Sequence, residues 1–145
     1  MKTFTTTNYG RTVIMHLGKG ECILESVQKE IDRLGIKNGV LLSAIGSLRK
    51  ASLHVITNTD ELSVNEYITV EKPIELGSAQ GIIINGEPHF HLTISEPGKM
   101  YAGHMEPGCE VQYLAELAIL ELTDLNLTRK LDEFGISYID TIQTI

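Results

Sequence analysis

"EPHFHLTISEPGKMYAGHM", residues 87–105, is the stretch whose reading decides the fold. Residues 89–95 alternate polar and apolar side chains, the period of a half-buried strand. "EPGK" follows, and Pro97-Gly98 suits the two central positions of a type II turn. "MYAGHM" then returns as a second strand. With Glu96 and Lys99 as the closing pair, residues equidistant from the turn face each other. His91 is then opposite His104, and Thr93 opposite Ala102. His89 lies two residues from His91 and shares its face. Cross-strand Cβ atoms are about 4.5–5.5 Å apart, so the three imidazoles can reach one ion. Phe90, Leu92 and Ile94 point the other way, toward a core.

Three histidines on adjacent strands supply the neutral nitrogen ligands that zinc and similar divalent transition ions prefer. Such a set leaves a fourth position for water or a ligand. His54 is the expected extra contributor, with Glu87, Glu106 and Cys109 as alternatives. Gly103, beside His104, lets another backbone approach closely. Imidazole must be neutral to ligate, so occupancy is expected to fall as pH drops through about 6.5. The competing reading is a solvated sheet face with polar side chains.

Outward from the hairpin, other strands are read at 11–17, 39–47, 50–57 and 66–71. One bent strand is read at 74–85, with Gly77 and Gly81 as bulge or kink positions. "ECILESVQKEIDRLG" is the clear helix: Ile23, Leu24, Val27, Ile31 and Leu34 form its apolar stripe, and Gly35 stops it. "EVQYLAELAILEL", residues 110–122, fits either period, and local propensity favours helix. "LTRKLDEFGISYIDT", residues 127–141, reads as a short helix ending near Gly135 and then an extended tail. The pattern predicts an α+β fold, a mostly antiparallel sheet with one main helix packed on it.

The chain has 145 residues, 42% hydrophobic and 21% charged, which predicts one domain over 1–145. Its net charge is −7, and no basic run exceeds two residues. That opposes a phosphate-binding surface. The N-terminus lacks an apolar signal core, no stretch approaches a membrane span, and two cysteines make no disulfide framework. A soluble cytoplasmic protein is expected. No nucleophile elbow, phosphate loop or dinucleotide fingerprint occurs. No catalytic residue is assigned.

At these residues the chain resembles the PPC domain, the plants-and-prokaryotes-conserved domain, most strongly over 10–123. "HLGKGECILESVQKEIDRLGI" is similar to the family's strand, turn and first helix. "GVLLSAIGSLRKASLHV" is similar to its apolar strand, glycine turn and next strand. "PIELGSAQGII", "PHFHLTIS" and "GKMYAGHM" follow in the family's order, with Ala102 in place of a usual Gly. "AELAILEL" resembles the closing A-E-V-x-I strand, which implies that residues 111–122 are a strand. The resemblance implies a twisted antiparallel sheet assembled as a homotrimer. It also implies a stand-alone prokaryotic-type protein labelled DNA-binding or transcription-associated. Here the R-G-R-P AT-hook that grips DNA in plant members is absent. Arg49, Lys50 and Lys72, basic residues flanking family-matching segments, are the candidate DNA or partner contacts. The alternative is a metal-binding small-ligand protein or enzyme that does not bind DNA directly.

Overall fold

A computed structural model of the chain describes residues 1–142; the last three residues of the expected 1–145 domain lie outside the described residues. The elements run β1 (Tyr9–Gly18), α1 (Ile23–Leu34), β2 (Gly39–Ile56), β3 (Asn65–Val70), β4 (Ile74–Ile84), β5 (Glu87–Glu96), β6 (Lys99–Met105), β7 (Glu110–Leu122), β8 (Leu127–Leu131) and β9 (Ser137–Thr141). Seven strands form one antiparallel sheet in the order β1-β7-β2-β4-β5-β6, with β3 paired to β2. The fold is α+β, as the sequence pattern predicts.

β2 organises the sheet. Its first half lies between β4 and β7, and its second half lies between β3 and β6. The pairings β2-β4-β5-β6-β2 therefore close into a ring. Sequence reading divides this segment into two strands at the small residues near Gly46. The structure keeps one 18-residue strand and absorbs the bend in register shifts against β7. The bulge expected in β4 occurs at Gly77, where the register with β5 shifts between Leu76 and Ser78.

Phe90, Leu92 and Ile94 of β5, Leu53 of β2 and Met105 of β6 are all buried in one core. α1 adds Ile23, Val27 and Ile31 to that core, and Gly35 stops the helix. The helical leaning for 110–122 fails: β7 buries Ala115, Leu117 and Ile119 at period two between β1 and β2. Helix propensity differences are at most about 0.7 kcal/mol per ordinary residue, less than burying a Leu or Ile side chain contributes.

The helix read at 127–135 is also overturned. Residues 127–141 form the β8–β9 hairpin, a separate two-stranded sheet with Arg129 opposite Ile139. Its turn is fixed by the Asp132 carboxylate, whose Oδ1 accepts from the Phe134 and Ile136 backbone N–H groups at 2.9 and 2.8 Å. That local bonding competes with helix, as Asp side chains do in turns. No helix among the described residues is long and apolar enough to cross a membrane.

Candidate metal centre

The β5–β6 register is the one that counting from the turn gives. His91 pairs with His104, Thr93 with Ala102, and Glu96 with Lys99. Gly98 has φ 82, as the third position of a type II turn requires. β2 extends the row, because His54 pairs with His104 on one side and with Tyr67 of β3 on the other. His91, His104, His54 and Tyr67 thus cross four adjacent strands on the face away from the core, and His89 stands two residues from His91.

One ligand nitrogen from each of His89, His91 and His104 can be chosen so that all lie within 4.8 Å of one another. His89 Nε2 and His91 Nε2 are 3.4 Å apart. A tetrahedral zinc with Zn–N bonds of about 2.0–2.1 Å sets its nitrogens about 3.3–3.4 Å apart. That pair therefore already spans one tetrahedral edge. The His104 ring stands at 87° and 88° to the rings of His89 and His91, with centroids 4.7 and 5.5 Å away.

His54, His104 and Glu106 form a second group of the same compactness, sharing His104. With His54 neutral, its Nδ1–H donates to Glu106 Oε1 at 2.5 Å. This fixes the tautomer and leaves the Nε2 lone pair free, the way a carboxylate orients a metal-ligating histidine. His54 is centred 4.5 Å from His104. Gly103 makes this approach possible, since a Cβ there would lie 2.5 Å from the His54 carbonyl oxygen.

Burial favours the neutral imidazole at His104 and His89. Desolvation, reinforced by the charges of His89 and His54, lowers His104 to about 4. Desolvation first, and then the Arg129 charge, lowers His89. Neutral imidazole nitrogens are donors that zinc-like ions take.

The other candidates fall elsewhere. Cys109 is fully buried; its Sγ donates to the Ser52 carbonyl at 3.3 Å, and burial raises the thiol to about 11. It is no thiolate ligand. Glu87 is exposed at the start of β5 and is in neither compact group. Arg49, Lys50 and Lys72 do come together, around a cleft of about 960 Å³. Each is held by a carboxylate: Arg49 by Glu110 at 3.5 Å, Lys50 by Glu71 at 3.2 Å and Lys72 by Glu96 at 2.9 Å. Sequence reading missed Arg129, because it placed that residue in a helix. The turn signal Asp132 to Gly135, between two short alternating runs, could have revealed the hairpin that carries it.

Fold and cluster together define a class: an antiparallel-sheet domain with a histidine-rich group able to hold a metal ion. The chain belongs to the Plants and Prokaryotes Conserved (PCC) domain family, whose model matches residues 4–123. Among curated proteins, the bifunctional protein GlmU of Synechococcus sp. (strain JA-2-3B'a(2-13)) is 26% identical over 113 residues, 74% of this chain and 17% of that protein. The chain spans less than a fifth of the length of the curated relatives it matches. A plant- and prokaryote-conserved protein from Pyrococcus horikoshii superposes with a TM-score of 0.79 at 24% identity, over 97% of this chain and all of that one. A metal-containing protein from Archaeoglobus fulgidus gives 0.78 at 22%, over 93% and 95%. A candidate DNA-binding protein from Bacteroides thetaiotaomicron gives 0.75 at 18%, over 92% and 96%. At these identities the structural likeness establishes the fold alone.

Proposed function

We propose that this chain is a zinc-binding PCC-domain protein, assembled as a homotrimer, whose metal centre takes a small ligand. His89, His91 and His104 hold the ion, and the His54–Glu106 pair stands beside it as fourth ligand or as its orienting support. The observation that carries the reading is the convergence of three imidazole nitrogens, one pair already at a tetrahedral edge. The name of the Archaeoglobus neighbour supports it. A bound zinc supplies a Lewis-acidic position for an oxygen or nitrogen donor. The residues around it name no general base, so the reading is one of binding rather than a specified reaction. The two free cysteines suit a reducing compartment such as the cytoplasm.

The test is metal content by elemental analysis, on protein carrying no affinity tag. Wild type incubated with zinc should hold about one ion per chain, and His91→Ala should lose it. The variant should stay folded, since Phe90, Leu92 and Ile94 keep the core face of β5. Metal-free wild type after that incubation would defeat the proposal.

Trimer assembly is supported by the sheet face opposite α1, where β1, β2 and β7 expose Ile14, Leu42, Ile45 and Leu114. Exposed apolar side chains on one sheet face suit an association site, and one repeated face suits a closed homo-oligomer.

Association with DNA or with transcription factors is the second reading, favoured by the name of the Bacteroides neighbour. Arg49, Lys50 and Lys72 would be its contacts. Their carboxylate partners and the net charge of −7 weigh against tight phosphate binding. Duplex titration at two salt concentrations separates the readings. A Kd of about 10⁻⁸ M or tighter at physiological salt, the range of specific binders, would favour DNA.

A further inference from the structure

The β8–β9 hairpin follows the segment matched by the family model, which ends at residue 123. β8 packs on β4. Ile82 and Gln80 of β4 pair with His89 and His91, so they share the histidine face. Ile84 continues that face by alternation. Ile84 and Leu127 are both buried, yet neither belongs to the main core under α1. The hairpin therefore lies on the histidine face of the sheet, and it brings Arg129 there.

The state of Arg129 is unusual for this chain. Arg11, Arg33 and Arg49 each pair with a carboxylate, at 2.8, 2.5 and 3.5 Å. Among the described residues Arg129 has no ion pair. Its Nε is buried without a hydrogen-bond partner, while the side chain as a whole is half-exposed. A guanidinium keeps its charge in such a place and offers a planar fork matched to carboxylate or phosphate oxygens. Next to a metal dication held by imidazoles, a fixed cation would be repelled unless an anion lay between them. Arg129 stands two residues from the buried Leu127 in β8, so strand alternation turns both side chains to the same face of the hairpin.

We propose that Arg129 forms an anion subsite beside the three-histidine cluster, so that the ligand of this centre is a small molecule carrying an oxyanion, a carboxylate or a phosphate. The inference rests on the zinc reading for the ligand's second anchor. Arg129 clamps the anionic group through its exposed nitrogens, and the open metal position takes a donor atom of the same molecule.

Zinc-loaded wild type, Arg129→Met and Arg129→Lys are titrated by calorimetry with inorganic phosphate and, separately, with malonate. Zinc content and circular dichroism are measured on each. Arg129→Met should keep its zinc and lose at least tenfold in affinity for the anion that wild type binds. Preference for phosphate or malonate tells which oxyanion the site takes. Arg129→Lys, which keeps charge but not the planar fork, should fall between the two and serves alone if Arg129→Met does not fold. Equal affinity in wild type and variants, or no binding of either anion by wild type, would overturn the subsite. If wild type takes up no zinc, the same titrations are run on metal-free protein. Arg129-dependent anion binding there upholds the subsite and refutes only the zinc reading; its absence refutes both.

Discussion

Burial keeps the His104 imidazole uncharged down to a pKa of about 4, well under its ordinary 6.5. Sequence alone places the onset of proton competition near pH 6.5; the fold moves the His104 share of it downward. The same shift bears on the stability of metal-free protein. The unfolded chain takes a proton on this residue near pH 6.5, whereas the folded chain resists until about 4. Stability present above 6.5 is therefore lost as pH falls through that window, and the loss from this residue levels off below about 4. Depressed His89 acts in the same direction. Urea midpoints of metal-free protein, taken between pH 7 and 4, should decline, and His104→Gln should flatten the decline. Glu106 governs a different property. It accepts from His54 and leaves Nε2 of that ring free. Glu106→Gln should weaken zinc affinity by about 10–100-fold, the usual effect of losing an orienting carboxylate. Competition with a chelating dye measures this.

The β5–β6 hairpin was legible because its information is local. Strand alternation put His89 and His91 on one face, and the Pro97-Gly98 turn fixed which residue faces His104. α1 was legible for a similar reason, with Val27 and Ile31 buried at helical spacing. β7 was not legible from its own residues. Leu, Ala and Glu favour a helix there, and only its two neighbours β1 and β2 make it a strand; the family resemblance supplied what periodicity could not. β8 was missed because Leu127, Arg129, Lys130, Leu131 and Glu133 favour helix, and the Asp132 turn outweighs them; the segment read as an extended tail is β9, and only its pairing with β8 was not foreseen. The convergence of His54 was half legible: the residue could be named, but its pairing with His104 depends on β2 turning back onto β6. Gly103 sits at that crossing. Gly103→Ala would force its methyl against the His54 carbonyl oxygen, at 2.5 Å, and the Val55 side chain, at 2.9 Å. The expected cost is about 1–3 kcal/mol, typical of overpacking, with a matching drop in zinc affinity as β6 moves off β2. Denaturant titration and metal competition on the same variant check both.

For the proposed trimer, the exposed face of β1, β2 and β7 would be the deciding surface. Ile45 is 50% exposed and Ile14 is 73% exposed in the single chain. Ile45→Glu would be tolerated by an isolated chain, because the side chain already meets water. In a trimer closed through this face, it would bury three like charges together. Light scattering coupled to size exclusion should give a trimer mass for wild type and a smaller one for Ile45→Glu, with unchanged circular dichroism. A wild-type monomer at micromolar concentration would remove the basis for that assembly.

The ring of strand pairings through β2, β4, β5 and β6 also sets the order of events in time. Its last closure joins residues far apart in the chain; His54 and Glu106 are separated by 52 positions. Loops of that length close slowly, and chains rich in such pairings fold slowly. Three of the proposed ligands, His89, His91 and His104, belong to the local β5–β6 hairpin, whereas His54 arrives only when β2 meets β6. On the zinc proposal, the hairpin alone would bring three ligands to an ion, and His54 would join last. A metal bound that early would speed folding as well as slow unfolding, and refolding rates with and without zinc would show the difference.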